Sequence, residues 1–348
     1  MTIEQGDPVV VTGAAGFIGS AITRALLERG AAVTAVIEPG ADPADPVLKG
    51  VESVVTADVA ERGALDAPLR CARFCVHTAA RYAFWPKDPS HYYRTNVEGS
   101  REVVRAAWRA GVERVCYTST VATIGLQRTA DGGSANEDDY AHVEHLFGNY
   151  KRSKYVAEHE VLRAAAEGLS ISLVLPTFPL GPGDRAPTPT GKLVLDFLNG
   201  RIPGYGDTVL NVVHVDDVAE GHILALEEGR SGRSYILGGE NLPLERVLGE
   251  LATLTGLPRP KLKVPRSVSL AVAGISELVE GRILRHHPSV PLEAARMSTS
   301  TMSFDDTRAR TELGYAPRPA VHALEASARW FVDTGVVTPR RRDKIRWS

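Results

Sequence analysis

The sequence predicts a doubly wound α/β fold: a parallel sheet covered by helices on both faces, with a smaller and mostly helical C-terminal part. Three observations carry this. Short apolar runs alternate with helical stretches through the first two-thirds of the chain. A glycine-rich turn joins the first run to the first helix. After Pro176 the composition shifts to the Pro- and Gly-rich stretch Pro179 to Thr190, and helical segments follow it.

Taken in order, Pro8 to Thr12 (PVVVT) reads as a strand and Ile18 to Arg29 as a helix. Strands are expected at Ala32 to Ile37, Val51 to Ala57, Phe74 to Thr78 and Val115 to Thr118, and Asn96 to Ala110 is expected as a helix. Tyr150 to Glu167 reads as a long helix and Ile171 to Leu175 as the strand after it. The strands are apolar throughout rather than alternating, as strands buried on both faces are. Val212 to Val215 and Ser234 to Leu237 also read as strands, by which the chain would return to the main sheet. The expected division is a dinucleotide-binding unit over 1–176 with returning segments near 210–238 and 302–318. A substrate-binding cap takes 177–209 and 239–335, and a basic tail, 336–348, is expected to be solvated.

The bulk numbers set limits. A chain of 348 residues accommodates two domains or one large α/β unit. A formal charge of −2 gives no global field that favours nucleic acid or an anionic membrane. Three cysteines, Cys71, Cys75 and Cys116, make no disulfide framework and fit a reducing cytoplasm. Cys71 and Cys75 have a spacing that would share a helix face, but no further ligands stand near them, and no metal site is expected there or at His142 and His145. The N-terminus lacks the pattern of a signal peptide. The apolar stretch Ser267 to Leu284 is interrupted by Glu277, Glu280 and Arg282, so it reads as a buried or substrate-lining helix rather than a membrane span.

The turn Thr12-Gly13-Ala14-Ala15-Gly16-Phe17-Ile18-Gly19 sits between a strand and a helix. A tight turn needs the first glycine, a close pyrophosphate needs the second, and close packing of helix on strand needs the third. The unpaired N–H groups of the helix N-terminus then face the anion. This is the signature of a Rossmann-type dinucleotide site. Glu38 ends the second strand, where a carboxylate accepts hydrogen bonds from ribose hydroxyls and repels a 2′-phosphate; it favours NAD over NADP. Asp58 follows the third strand and is placed either to meet the adenine amino group or to cap the next helix. Ala79 and Ala80 end the fourth strand and leave room for a flat cofactor.

Tyr150 and Lys154 stand four apart at the head of a helix and share a face. A nearby ammonium favours the phenolate, so the pair suits proton exchange with an alcohol or carbonyl oxygen near neutral pH, and both residues are candidates for the cofactor side as well, the lysine holding the nicotinamide ribose. Thr118-Ser119-Thr120 closes a strand, with Thr120 the candidate catalytic hydroxyl and Ser119 the second choice. Arg81, Tyr82, Phe84 and Trp85 follow the nicotinamide edge and are candidates for a substrate wall, with Arg81 binding a carbonyl or acidic group.

The ordered set TGAAGFIG, ADV, HTAA, NVEG, YTSTVATIG, YKRSK and VVHVDDVAEGH resembles the extended short-chain dehydrogenase/reductase family, also called the NAD-dependent epimerase/dehydratase family. The resemblance runs over about residues 7 to 335 and includes Leu313-Gly314-Tyr315 with Pro317. It is strongest to the dihydroflavonol-reductase-like branch and to proteins named hopanoid-associated sugar epimerases. It implies that Gly13, Gly16 and Gly19 hold the pyrophosphate, with Phe17 and Ile18 donating backbone N–H groups. It places Asp58 and Val59 at the adenine, and Ala79, Ala80, Thr118, Pro176 and Phe178 beside the nicotinamide. Tyr150 is implied as the acid/base, with Lys154 and Thr120 as its partners, and Asn96 and His214 as structural residues. A homodimer is implied as well.

Three departures from the family pattern matter, two for the substrate and one for the cofactor. Val121 and Ala122 follow Thr120 where nucleotide-sugar dehydratases of this family carry acids, which disfavours dehydration. Leu210 stands where many relatives have an arginine for a diphosphate, and an apolar residue cannot offset the desolvation of a phosphate. Glu38 stands where close relatives tend to have arginine. The reading is an NAD-dependent oxidoreductase that moves a hydride between the cofactor and a secondary alcohol or ketone. An epimerase that keeps its NAD uses the same residues, and a non-catalytic NAD sensor would have no need of Thr120, Tyr150 and Lys154.

Overall fold

The computed structural model describes residues 1–82, 88, 90–125, 133–142, 144, 146, 148–276 and 302–348. The N-terminal part runs β1 (Pro8–Thr12), α1 (Phe17–Glu28), β2 (Ala32–Ile37), β3 (Ser53–Thr56), α2 (Asp66–Leu69), β4 (Phe74–His77) and α3 (Ser90–Tyr92). A wide π-helical turn, Tyr93–Glu98, leads into α4 (Gly99–Ala110), β5 (Arg114–Thr118), α5 (Asn149–Glu167) and β6 (Ile171–Pro176). Then come β7 (Phe178–Leu180), α6 (Pro189–Leu198), β8 (Gly204–Tyr205), β9 (Val209–His214), α7 (Val215–Glu227) and β10 (Ser234–Leu237). They are followed by β11 (Glu240–Pro243), α8 (Leu244–Thr255), β12 (Leu262–Lys263) and α9 (Arg266–Ser276).

The seven-stranded main sheet has the order β10-β6-β5-β4-β1-β2-β3 and every neighbour is parallel. Residues of β1 point alternately to the two faces, so the apolar run fills two cores at once. Val9 and Val11 pack with Ile22 and Leu26 of α1 and Val218 and Ile223 of α7. Val10 packs with Val103 and Ala107 of α4 and Ala157 and Val161 of α5. The order reverses between β1 and β4, which opens a crevice at their carboxyl ends, the usual ligand site of such sheets.

A third core lies outside the main sheet. It joins Leu180, Phe197, Leu210, Val212, Leu248 and Leu251 to Leu324 and Phe331 of the helix Ala320–Asp333. Here the structure corrects the expected return of Val212 to Val215 to the main sheet. β9 lies parallel to β7 and antiparallel to β11 in a separate three-stranded sheet. Leu210 and Val212 face the third core, while Asn211 between them hydrogen-bonds Asn241 at 2.8 Å and accepts from the Gly239 amide at 2.8 Å. Only β10, of the two late strands, extends the main sheet.

Two further expectations are corrected. Cys75 lies buried in β4 and Cys71 is exposed before it, so the two do not share a helix face. The tail is packed, not solvated: Ile345 is buried, the Arg346 amide donates to the Thr255 carbonyl at 2.8 Å, and the Arg329 guanidinium stands 4.4 Å over the Trp347 ring. Apolar residues interleaved with the arginines supply the contact that a count of charges hides. Of the stretch Ser267 to Leu284, residues 277–284 lie outside the described residues. No helix among the described residues is long and apolar enough to cross a membrane.

Candidate active site

The glycine turn shows three different reasons for glycine. Gly13 has φ +72°, and a Cβ there would meet the Ala79 amide nitrogen at 2.8 Å and Thr78 Oγ1 at 2.9 Å. A Cβ on Gly19 would stand 2.1 Å from the Gly13 carbonyl oxygen. Gly16 differs: its φ of −73° and ψ of 171° suit any residue, and a Cβ would meet only the Gly13 carbonyl, at 3.1 Å. The protein itself barely requires glycine at position 16; a ligand lying against that backbone would. No side chain caps α1, so the first-turn N–H groups at Phe17 and Ile18 remain for an anion. The residues present therefore fit a dinucleotide pyrophosphate.

At the end of β2, Glu38 is largely exposed and stands 3.6 Å from the Arg81 guanidinium. Arg81, the candidate for a carbonyl or acidic group of the substrate, thus has its charge beside Glu38. Its backbone is fixed by Asn96, whose Oδ1 accepts from the Arg81 amide at 2.8 Å and whose Nδ2 donates to the Arg81 carbonyl at 3.3 Å. Asp58 accepts from the Ala60 amide at 2.9 Å, as a turn cap does, and pairs with Arg94. Burial raises the Asp58 carboxyl, but the Ala60 amide and Arg94 outweigh it and hold it below the usual range. Val59 is buried, and Gly99 gives it room: a Cβ on Gly99 would stand 2.8 Å from Val59 Cγ2.

The carboxyl ends of β4, β5 and β6 bring the remaining candidates together. Ala79 and Ala80 follow β4, Thr118 ends β5, Pro176 ends β6 and Phe178 opens β7. Tyr150 and Lys154 lie on the first two turns of α5, the phenol half-buried and the lysine buried. Lys154 Nζ donates to the Thr118 carbonyl at 2.7 Å and to the Tyr117 hydroxyl at 3.2 Å. Burial pulls its pKa down to about 8, against the opposing charge of Glu158. Tyr150 packs against Tyr82, with ring centroids 4.7 Å apart, and against Tyr92 at 6.3 Å. Phe84, Trp85 and His145 lie outside the described residues.

Thr120 caps the short 3-10 helix Val121–Thr123, its Oγ1 accepting from the Ala122 amide at 3.2 Å. That bond leaves the hydroxyl proton unused. Thr118 turns the other way: His222 Nδ1 donates to the Val218 carbonyl at 2.7 Å, so its bare Nε2 accepts the Thr118 hydroxyl at 2.9 Å. Burial drives His222 down to about 4 and His77, beside Thr12 at 2.7 Å, down to about 3, so both are neutral. His214 caps α7, accepting from the Asp216 amide at 3.1 Å.

Ser119 is corrected as a substrate contact. It is buried and donates its hydroxyl to Glu158 on α5, because Ser119 faces the α4/α5 side of the sheet and not the crevice. Glu158 was not singled out from the sequence, although it stands four residues after Lys154, the spacing that signalled the Tyr150–Lys154 pair. Arg185 was missed as well. From the loop after β7 its guanidinium donates to the Ala15 carbonyl at 2.9 Å and pairs with Asp45, so it bridges the glycine turn and the segment after β2.

A glycine turn at a sheet's switch point, facing a tyrosine–lysine helix across the strand ends, defines a nucleotide-dependent oxidoreductase class. Residues 9–238 match the model of the NAD dependent epimerase/dehydratase family, and the chain belongs to that family, within the extended short-chain dehydrogenases/reductases. A Synechocystis sp. protein with a provisional dihydroflavonol 4-reductase name is 40% identical over 96% of this chain and 97% of its own length. Sterol demethylase protein B of Methylococcus capsulatus is 32% identical, covering 94% of this chain and 99% of its own. The crystal structure of gox2253 superposes with a TM-score of 0.82 at 40% identity, covering 96% of this chain and 100% of its own. MoeE5, solved in complex with UDP-glucuronic acid and NAD, has a TM-score of 0.72 at 25% identity and covers 94% of this chain and 100% of its own. The protein is thus an enzyme of an NAD-dependent family.

Proposed function

We propose that the protein catalyses reversible hydride transfer between NAD and a secondary alcohol or ketone, with Tyr150 as acid/base, Lys154 as its cationic partner and Thr120 as the hydroxyl that orients the substrate oxygen. The observation that carries this reading is the buried Lys154 ammonium, placed at the carboxyl edge of β5 one helical turn beyond Tyr150. When bound, the nicotinamide supplies or accepts the hydride. In the reductive direction Tyr150 gives its proton to the carbonyl oxygen as the hydride arrives; in the oxidative direction the phenolate takes the proton back. A cation beside the phenol favours the phenolate, so Lys154 makes Tyr150 a readier proton donor in reduction and keeps phenolate available as the base for the reverse step.

Glu38 sets the preference for NAD, since a 2′-phosphate would meet its carboxylate, although Arg81 beside it softens that repulsion. The substrate reading disfavours a nucleotide diphosphate handle, since Leu210 is buried in the third core and offers no charge. The segments 177–209 and 239–335 supply the substrate side, and the assembly is a homodimer by resemblance to the family.

A second reading is an epimerase that oxidises and re-reduces one carbinol on retained NAD. Arg185 favours it, because a link from the Ala15 carbonyl to Asp45 would have to open for a cofactor seated on the glycine turn to exchange. The two readings separate on purification. Stoichiometric NAD that survives gel filtration, with no net turnover of added NAD, supports the epimerase; free exchange and net reduction of a ketone by added NADH support the reductase. Either way, Tyr150→Phe is expected to abolish turnover in a screen of ketones, sugars and terpenoid alcohols, and full activity in that variant refutes the assignment.

A further inference from the structure

The turn that presents Thr120 and the helix that presents Tyr150 and Lys154 are joined by a carboxylate with no role in the reaction proposed above. Glu158 lies two helical turns after Tyr150 and is buried. Its Oε2 accepts the hydroxyl of Ser119, directly before Thr120, and that of Thr123 at 2.9 Å, three residues after it. Lys154, one turn earlier on α5, holds Thr118 by its carbonyl. The head of α5 thus grips the β5 end at two levels, and Thr120 lies between them. We propose that Glu158 is a positioning residue: its carboxylate clamps the turn that presents Thr120 against α5 and supplies the countercharge beside the buried Lys154 ammonium. This rests on the reading of Tyr150, Lys154 and Thr120 as the acid–base site.

The chemistry of the site supports the assignment. A buried ammonium without a nearby anion tends to lose its proton, and a buried carboxylate without donors tends to gain one. Burial raises the Glu158 carboxyl above its usual range, and the Ser119 and Thr123 hydroxyls and the Lys154 charge offset only part of that rise. Burial lowers Lys154 to about 8, and Glu158 opposes that fall. Other titratable groups face the pair. His77 on β4 is already neutral, and burial pushes the Tyr117 phenol on β5 well above its usual value. His159 adjoins Glu158 on α5, and Tyr150 heads the same helix.

The test is NADH binding, followed by cofactor fluorescence from about pH 6 to about pH 10. Lys154 is expected to hold the nicotinamide ribose as an ammonium, so wild-type affinity weakens as pH rises past its midpoint. In Glu158→Gln the weakening sets in about one pH unit lower, with affinity at pH 8 reduced about fivefold to tenfold, and amide exchange over 119–124 speeds up. Glu158→Asp, which keeps the charge, holds the midpoint. A residue that merely packs would speed exchange without moving the midpoint. Should Glu158→Gln not fold, Ser119→Ala, which removes a donor that keeps the carboxylate ionised, moves the midpoint the same way by less. His159→Asn and Tyr150→Phe leave the midpoint in place if the limb belongs to Lys154. Lys154→Met should abolish the limb; if the limb persists there, the cofactor role of Lys154 fails. If Lys154→Met abolishes it while neither Glu158→Gln nor Ser119→Ala moves it, the inference about Glu158 is overturned.

Discussion

At the glycine turn the functional surface is bare backbone; at the head of α5 it is a set of side chains held by buried polar contacts. Gly13 and Gly19 are glycine because neighbouring backbone leaves no room for a Cβ, and Gly16 is glycine although the protein leaves nearly enough. Tyr150 and Lys154 depend instead on contacts from several elements: Asn96 in the π-helical turn reaches Ser153 at 2.9 Å, Ser153 reaches the Tyr150 carbonyl at 2.8 Å, and Glu158 reaches the β5 end. Steric requirement is local and strict, whereas a polar network is distributed and graded. Substitutions in the two regions should therefore fail in different ways.

The largest effect is expected from Gly19→Ala. Backbone cannot move far from a Cβ at 2.1 Å, so chemical denaturation should show a loss of about 3 kcal/mol or more. A stability close to wild type would break the steric account of the turn. Asn96→Ala should cost about 2 kcal/mol, because it strands the Arg81 amide and carbonyl and takes from Ser153 Oγ the donor that ties α5 to the π-helical turn. Hydrogen exchange should then rise at the first turn of α5 and not at α1; equal rises at both would erase the contrast.

Gly16→Ala sharpens it further. Stability should change by less than about 1 kcal/mol, while NADH affinity falls about tenfold, a split that Gly19→Ala cannot show. Unchanged NADH affinity would mean that no ligand lies against Gly16. The smallest effect is expected from Glu38→Arg, which should move the ratio of NADP to NAD efficiency upward about fivefold; the exposure of Glu38 and the presence of Arg81 limit it. An unmoved ratio would remove Glu38 from cofactor choice.

The same contrast explains what was legible in the sequence. The main sheet and the glycine turn were readable because continuous apolar strands and a glycine spacing are local signals. Tyr150 and Lys154 were readable because four residues bring side chains to one helical face. Ser119 is hard to place from sequence because a strand end gives no local cue to which hydroxyl turns toward the neighbouring helix, and here Ser119 bonds Glu158 on α5. Glu158 was passed over because an acid on a helix is ordinary until burial beside a lysine is seen. Arg81 lay on the expected loop, but the pull of Glu38 is a tertiary fact. β9 was assigned to the wrong sheet because strand patterning gives no partner, and the tail was misjudged because its arginines outnumber the apolar contacts of Ile345 and Trp347.

The central claim is that the Tyr150 phenol, with Lys154 behind it, faces the reactive ring of a nucleotide anchored on the glycine turn. A crystal structure with NADH bound tests it most directly. The account predicts the pyrophosphate at Gly13, Gly16 and the α1 N-terminus. It places the nicotinamide beside Ala79, Ala80 and Thr118, with C4 and the Tyr150 hydroxyl spaced to hold one carbonyl group between them at reacting distances of roughly 3–3.5 Å. A nicotinamide lying elsewhere, or a Tyr150 hydroxyl turned to bulk solvent with the cofactor in place, would contradict it.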